Sequence, residues 1–357
     1  MSTLETNAIG KYSTNNVSFD DALNLKSYDT AGRDALTSVA GDTIYNSDDN
    51  KVQVYTGSAW EDTGLSYIPV NYLVIGGGGA GCGIYYLDQT GAGGGAGGYR
   101  CNYASENSGG GATSSDEFVS YFIQKSTSYT VAIGAGGTGN AYSYGNTRGN
   151  ISEFSKIISL GGGAGGGYSY FGESGSSSGG RIVSASGGTY PQTFAVNNQG
   201  YLGGTGGGLH QASGGGGGAG SVGTNAGSSG GAGGAGGSGI SSSITGSSVG
   251  RAGGGGGGGD GNTGGSASDG GGAGGNNAIG TAGTSNTGGG GGGAGGSNTG
   301  TPGTKSGGNG GSGVVILRYP TADATITVGA GLTSSSATDG SDTVLTFTAG
   351  TGTVSFA

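Results

Sequence analysis

Apolar residues occur in short runs with the length and composition of β-strands, and most of these runs border glycine-rich stretches. The two strongest patterns are Tyr67–Ile75, which runs directly into glycine, and Val314–Pro320, which follows the last glycine-rich stretch. Asp20–Leu25 is the only run that suggests a turn of helix. Further strands are predicted over Asp116–Ile123, Tyr129–Ile133, Ile151–Leu160, Thr325–Val328, Thr343–Thr348 and Thr353–Phe356. We therefore expect a mainly β and irregular fold with almost no α-helix.

A small β-hairpin is predicted near the N-terminus. Asp42–Tyr45 and Lys51–Tyr55 are rich in β-forming residues, and the polar link Asn46–Asn50 has the composition of a turn. Alternation along the second strand predicts that its valines face a core while Gln53 faces water. Trp60 is expected to pack on this hairpin. Because an isolated hairpin is marginally stable, it needs a partner, either another copy of itself or a larger assembly.

The stretch from Leu202 to Ser312 consists almost wholly of small residues, and glycine makes up 98 of the 357 residues of the chain. Within Gly230–Gly237 the unit Gly-Gly-Ala repeats with a period of three, which fits neither an α-helix nor a β-strand. It fits the threefold extended helix of the polyproline II type. Only four prolines are present and the phase is broken, so collagen is excluded. The hexamer GGGAGG recurs at Gly93–Gly98, Gly161–Gly166, Gly270–Gly275 and Gly291–Gly296.

Polyglycine adopts the same threefold helix without proline, and its bare edges let neighbouring helices approach until backbone groups bond across. We expect the centre of the chain to be a stack of such polyglycine II helices. Alanine or serine on the third edge would face outward or fill a seam. A disordered low-complexity linker is the alternative for this region.

Charge and termini narrow the classes of function. Twelve Lys and Arg against 21 Asp and Glu give a net charge of −9, which disfavours a nucleic-acid partner because phosphate binding needs basic surface. The opening residues, MSTLETNAIGKYS, lack the basic and apolar regions of a signal peptide, and no apolar run is long enough to span a membrane. These features predict synthesis in the cytoplasm without a secretory signal.

Two motifs resemble ligand sites by composition only. The strand Leu73–Ile75 followed by Gly76–Gly81 fits the dinucleotide pattern G-x-G-x-x-G, but the following residues return to glycine and predict no helix to bind a pyrophosphate. Gly255–Asp260 fits the start of a calcium-binding nonapeptide, but Asn262 stands where a large apolar residue is needed and no tandem copy follows. We expect neither a nucleotide nor calcium by these routes.

The sequence contains few residues suited to catalysis or metal binding. His210 is the only histidine, and Cys82 and Cys101 are the only cysteines, which are expected to be small buried thiols. We predict no catalytic residue, no metal site, no cofactor and no enzymatic activity.

Aromatic residues in the links between glycine blocks are the candidate binding residues. Exposed tyrosine offers a large contact area at low entropic cost. The same rings could instead cover the sides of the glycine stack as its hydrophobic core, and the residues leave both interpretations open. The candidates are Tyr85, Tyr86, Tyr142, Tyr144, Tyr168, Tyr170 and Phe171.

Several runs together resemble the glycine-rich tail-fibre adhesins of tailed marine bacteriophages. Gly41–Trp60 also looks like a small module of phage tail and fibre proteins, and Phe347–Phe356 resembles endings of marine phage structural proteins. The runs that carry the glycine-rich resemblance are Tyr72–Gly81, Gly93–Arg100 and Gly311–Tyr319.

This resemblance implies a virion fibre and receptor-binding protein without enzymatic activity. Its expected parts are a virion-anchoring segment (1–30), a β-hairpin module (31–68), a glycine-rich domain with tyrosine-bearing loops (69–320) and a C-terminal β module (321–357). The implied partners are other virion proteins, bound through residues 1–65, and a host surface glycan or outer-membrane protein. Homotrimers are the usual fibre symmetry, although stacking by one chain also fits. The alternative function is a purely structural virion component, such as a fibre spacer, head fibre or decoration protein.

Overall fold

The computed structural model describes residues 25–63, 67–85, 89–113, 121–142, 145–168, 171–182, 193–207, 211–227, 231–296 and 303–357. It divides into two compact units, residues 1–66 and 67–357. Strands and irregular extended segments make up nearly all of the described chain, which confirms the mainly β fold. Most of the predicted anchoring segment 1–30 and of the predicted turn Asp20–Leu25 lies outside the described residues.

The N-terminal unit is a four-stranded sheet with one short helix. Its elements in chain order are β1 (Ser27–Tyr28), α1 (Thr30–Asp34), β2 (Thr43–Asn46), β3 (Lys51–Tyr55) and β4 (Trp60–Asp62). The strands lie in sequence order, and the predicted β2–β3 hairpin is present, with Asn46 paired to Lys51 at its turn. The rings of Tyr55 and Trp60 pack with centroids 5.4 Å apart, as expected for Trp60.

Polar side chains join Ile44 in the interior of this unit, which corrects the alternation predicted for β3. Gln53 is buried, whereas Val52 and Val54 are only half-buried. The Gln53 amide can be buried because its groups are paired: Oε1 accepts from Asn46 and Arg33 at 3.1 and 3.0 Å, and Nε2 donates to Asp62 at 2.9 Å. Hydrogen bonds from Lys51 and Gln53 lower the pKa of the Asp62 carboxyl.

The second unit is built on one antiparallel sheet. Its strands are β5 (Tyr67–Ile75), β6 (Tyr99–Cys101), β7 (Tyr121–Gln124), β8 (Ser128–Ala132), β9 (Ser152–Phe154), β10 (Ile157–Ser159), β13 (Val314–Pro320), β14 (Ile326–Val328), β15 (Leu332–Asp339) and β16 (Asp342–Phe356), with a separate hairpin of β11 (Ile240–Ser242) and β12 (Val249–Arg251). The main order is β10-β9-β8-β16-β13-β5-β6, while β14 and β15 pair with β16 and β7 pairs with β5. The strands of the predicted C-terminal module 321–357 therefore belong to this sheet.

Both faces of β13 are buried, as are both faces of β5 over residues 72–75, which explains why apolar residues stand at nearly every position there. Tyr72 and Val74 face a cluster with Phe347 and Phe356 of β16. Leu73 and Ile75 face the opposite way, into a second cluster that includes alanines of the glycine-rich segments. The sheet thus has an aromatic core on one side and the glycine segments on the other.

Gln199 connects the two ends of the sheet. Its side-chain Oε1 accepts from the Leu160 amide just beyond β10 at 2.8 Å, and its backbone oxygen accepts from Tyr99 of β6 at 3.3 Å. The Ser159 hydroxyl of β10 donates to the Val74 oxygen of β5 at 2.8 Å. The sheet is therefore nearly closed. Between its end strands β10 and β6, hydrogen bonds that involve the Gln199 and Ser159 side chains replace the backbone ladder that would complete the closure.

The glycine-rich segments are threefold helices, as the repeat predicted. Segment 76–84 extends from β5 and donates its amides in rotation to segments 92–98, 147–150 and 305–311, so the same neighbour returns at every third residue. Only a helix with three residues per turn gives this rotation. The N-to-O pairs, at 2.8–3.1 Å, are Gly76–Gly98, Gly79–Gly95 and Cys82–Ala92; Gly77–Asn150 and Ala80–Thr147; and Gly78–Gly311, Gly81–Gly308 and Ile84–Lys305.

Segment 91–98 shows the same threefold rotation of hydrogen bonds with other neighbouring segments. Its amides rotate among segments 288–294, 160–166 and 214–217. The N-to-O pairs, at 2.8–3.1 Å, are Gly91–Ala294, Gly94–Gly291 and Gly97–Gly288; Ala92–Gly166, Gly95–Gly163 and Gly98–Leu160; and Gly93–Gly214 and Ala96–Gly217. The segments thus form a stack in which hydrogen bonds of the backbone, not side-chain packing, join neighbours. We call the stacked segments between residues 76 and 313 the glycine body.

The alanines of the recurring hexamer take both predicted places. Ala96, Ala164 and Ala294 are buried in seams between segments, whereas Ala273 is exposed. At the glycines a side chain would meet backbone: a Cβ built on Gly94 lies 2.2 Å from the Gly79 oxygen. Glycine places a hydrogen atom there instead, which permits a close Cα–H···O contact.

Candidate functional site

Three glycine segments leave the sheet side by side and end together. Segments 76–84, 134–140 and 160–166 follow β5, β8 and β10. The far ends of the first two segments lie at the same distance from the sheet, because both bond to the same short stretch of chain. The Ile84 amide donates to Lys305, and the Asn140 oxygen accepts from Gly307, two residues further along. At about 3.1 Å per residue, the nine residues of segment 76–84 reach about 28 Å from the sheet. We call this far end of the glycine body the distal end.

Tyr85 and Tyr142 meet at the distal end. Their rings are stacked, with centroids 5.5 Å apart and planes inclined by 25°. Both side chains remain partly in water, at 45% and 36% exposure. The sequence identified both residues as candidates, and the structure brings them together as one aromatic pair.

Tyr168 and Phe171 lie at the same end on the neighbouring segment. Gly166, two residues before Tyr168, accepts a hydrogen bond from the Ala92 amide, and the Ala92 oxygen accepts one from the Cys82 amide. Gly166 therefore lies at the same distance from the sheet as Cys82, near the distal end. Tyr168 is half-buried and Phe171 is 49% exposed. The remaining candidates, Tyr86, Tyr144 and Tyr170, lie outside the described residues, as does His210.

The turn that carries Tyr142 is fixed by a chain of polar side chains that the sequence did not single out. The Asn140 side-chain oxygen accepts from the backbone amide of Ala141 at 2.7 Å, and the backbone amide of Asn140 donates to Oδ1 of Asn146 at 2.8 Å. Asn146 in turn donates to the sulfur of Cys82 at 3.3 Å, on the segment that leads to Tyr85. The aromatic pair therefore stands on two segments that are tied together beneath it.

Both cysteines are buried and free, as predicted. Burial raises the pKa of Cys82 to about 12 and that of Cys101 to about 12, so both are neutral thiols at physiological pH. A neutral buried thiol is a packing group and not a nucleophile. Cys82 in particular serves as an acceptor for the Asn146 amide.

Other chemistry at the distal end is sparse. Among the described residues, no three His, Cys, Asp or Glu side chains are grouped closely enough to hold a metal ion. Residues 76–84, which carry the dinucleotide-like pattern, are extended and buried in the glycine body. No helix in the described part of the chain is long and apolar enough to cross a bilayer. What the distal end offers is an exposed aromatic surface on a rigid support.

Comparison with known families identifies a glycine-rich domain in this chain. A family model described as a glycine-rich domain matches residues 56–320, which is more than half of the chain. A search of curated proteins returned no match. The matched span begins between β3 and β4 of the N-terminal unit and ends with β13, so it contains the whole glycine body. The chain therefore belongs to the glycine-rich domain family.

Proposed function

We propose that this protein is a fibre or receptor-binding adhesin of a tailed bacteriophage that attaches to the host cell surface through its distal end. The observation that carries this proposal is the stacked, partly exposed pair Tyr85 and Tyr142 at the tip of the glycine body. The resemblance of the chain to phage fibre proteins supplies the biological setting. The expected receptor is a surface glycan or an outer-membrane protein.

Rigidity of the support favours this role. A side chain that is already ordered loses little entropy on binding, and tyrosine combines large contact area with a polar tip. Tyr142 is held by the Asn140–Asn146–Cys82 chain, and the Tyr85 amide lies 3.3 Å from Oε1 of Gln89, which accepts its hydrogen bond. In the proposed virion, residues 1–65 bind other virion proteins, the distal end faces the host, and three copies form the fibre.

Replacing both Tyr85 and Tyr142 by alanine should reduce adsorption of phage particles about 30-fold, because loss of an aromatic hot spot costs about 2 kcal/mol or more. Adsorption to host cells is the measurement, with thermal unfolding of the purified protein as a check on folding. Tyr67→Ala is the matched control, since Tyr67 is 51% exposed but lies in β5, at the sheet.

A folded Tyr85→Ala/Tyr142→Ala protein that adsorbs normally would favour the second candidate, a purely structural virion component. One observation supports that alternative: the two rings cover each other, as packing residues do. The two functions differ in one further result. Purified adhesin should compete with phage for host cells, whereas a spacer or decoration protein should not.

A further inference from the structure

The side of the glycine body contains a cavity that is separate from the distal aromatic residues. Its volume is about 450 Å³, within the usual range for sites that hold small molecules. One wall is formed by residues 193–200 and the other by Tyr201, Leu202 and Val222. Gly110, in a 3₁₀ turn, closes one side.

Both walls are fixed to the glycine body by backbone hydrogen bonds. On the first wall, the Val196 amide donates to the oxygens of Gly175 and Ser176 at 3.2 and 3.0 Å. On the second, the Tyr201 amide donates to the Gly218 oxygen at 3.0 Å, and the Leu202 oxygen accepts from a neighbouring glycine at 2.9 Å. The cavity is therefore formed before any ligand arrives, which lowers the entropic cost of binding.

The lining combines exposed apolar surface with neutral polar groups. Phe194 is 70% exposed, Val222 55% and Leu202 40%, which is unusual for large apolar side chains that lie together. Within the described part of the chain, the Asn197 amide and the Tyr201 hydroxyl make no hydrogen bond, so both can bind a ligand. None of the described residues that line the cavity carries a charged side chain.

This lining limits the class of ligand. An ion would lose its hydration without meeting an opposite charge. A purely apolar ligand would leave the Asn197 amide and the Tyr201 hydroxyl without partners at the contact. A sugar ring fits both conditions, because its C–H face packs on the electron-rich face of an aromatic ring while its hydroxyls exchange hydrogen bonds at the edge.

We propose that this cavity binds a neutral hexose unit, with the Phe194 ring against the sugar face and Asn197 and Tyr201 bonded to its hydroxyls. The site lies apart from Tyr85 and Tyr142, so it stands whether or not the distal end binds a cell. It would give the protein a carbohydrate contact on its side.

Saturation-transfer NMR on the full chain tests this with glucose, galactose, mannose and N-acetylglucosamine as neutral probes, and glucuronate and sialic acid as charged ones. We expect transfer to at least one neutral sugar and weaker transfer to the charged ones. Phe194→Ala should weaken the affinity at least about tenfold, as expected when an aromatic anchor is truncated. Asn197→Ala should weaken it while leaving the apolar contact in place.

Phe122→Ala is the matched control, because Phe122 is 57% exposed on β7 and does not line the cavity. Saturation transfer from the Phe122→Ala protein to the neutral sugars should equal that from the unchanged protein. Absence of transfer to all four neutral sugars would overturn the proposal. Equal transfer to a neutral sugar from the Phe194→Ala protein and from the unchanged protein would also overturn it. Indole serves as an apolar probe in the same experiment. Transfer to indole but to no sugar, abolished by Phe194→Ala, would also overturn the proposal and would identify an apolar docking surface instead.

Discussion

Gly94→Ala should lower the free energy of unfolding of the glycine-rich unit by about 3 kcal/mol, at the upper end of the cost of overpacking a tight interior. The added methyl would lie 2.2 Å from the Gly79 oxygen, which belongs to the backbone and cannot rotate away. Movement of segment 91–98 is also resisted, because the Gly94 oxygen accepts from Gly255 and the Gly94 amide donates to Gly291. The measurement is denaturant unfolding followed by circular dichroism.

Gly303→Ala is the control for this substitution. A Cβ at Gly303 meets no atom of the described residues within 4 Å. Because alanine also restricts the unfolded chain, this variant should be neutral or more stable by a few tenths of a kcal/mol. If the two variants had equal stability, the close backbone approach at Gly94 would be wrong.

Arg318→Met should lower the free energy of unfolding by about 2 kcal/mol, because a hydrogen bond to a charged group contributes about 1.5–3 kcal/mol when its donor is buried. Arg318 is 8% exposed on β13. Its guanidinium donates to Asp342 at 2.8 Å and Asp339 at 2.7 Å, and these bonds raise its pKa against the opposing effect of burial. It also lies 5.0 Å from the centroid of the Tyr103 ring.

Arg318 has this effect because it joins separate parts of the unit. Through Nη1 it also donates to the Ile244 oxygen at 3.2 Å, in the loop of the β11–β12 hairpin. Arg148→Met is the matched control: Arg148 pairs with Glu173 at 3.0 Å but is 56% exposed, so its loss should cost less than about 0.5 kcal/mol. Equal costs for the two variants would mean that the Arg318 network contributes no more than a surface pair.

The sequence predicted the conformation of the glycine body but not its arrangement. Period three in Gly230–Gly237 indicated threefold helices, and segments 76–84 and 91–98 have the bonding rotation that such helices require. Which segment neighbours which was beyond prediction, because glycine segments present the same backbone groups to any partner. The stacking of Tyr85 and Tyr142 could not be predicted either, because it depends on which glycine segments lie side by side. The sequence identified the two residues only as separate candidates.

Misjudged elements have physical explanations. Gln53 was expected in water because alternation treats every polar residue as solvated, yet a fully bonded amide is stable inside. The short helix α1 begins where Asp29 accepts from the Gly32 amide at 2.6 Å, a signal too local for a periodic pattern. The β11–β12 hairpin was hidden in low-complexity sequence, although Ile240 begins its first strand and Val249 begins its second.

The most direct test of the stacked glycine body is amide hydrogen exchange measured by NMR across residues 214–296. Gly255, Gly291 and their neighbours donate to other segments and are buried, so their amides should exchange only through large-scale unfolding. For a domain of ordinary stability this predicts protection of about 1,000-fold or more over free peptide. Exchange within about tenfold of the free-peptide rate throughout this region would contradict the stack and indicate a disordered linker.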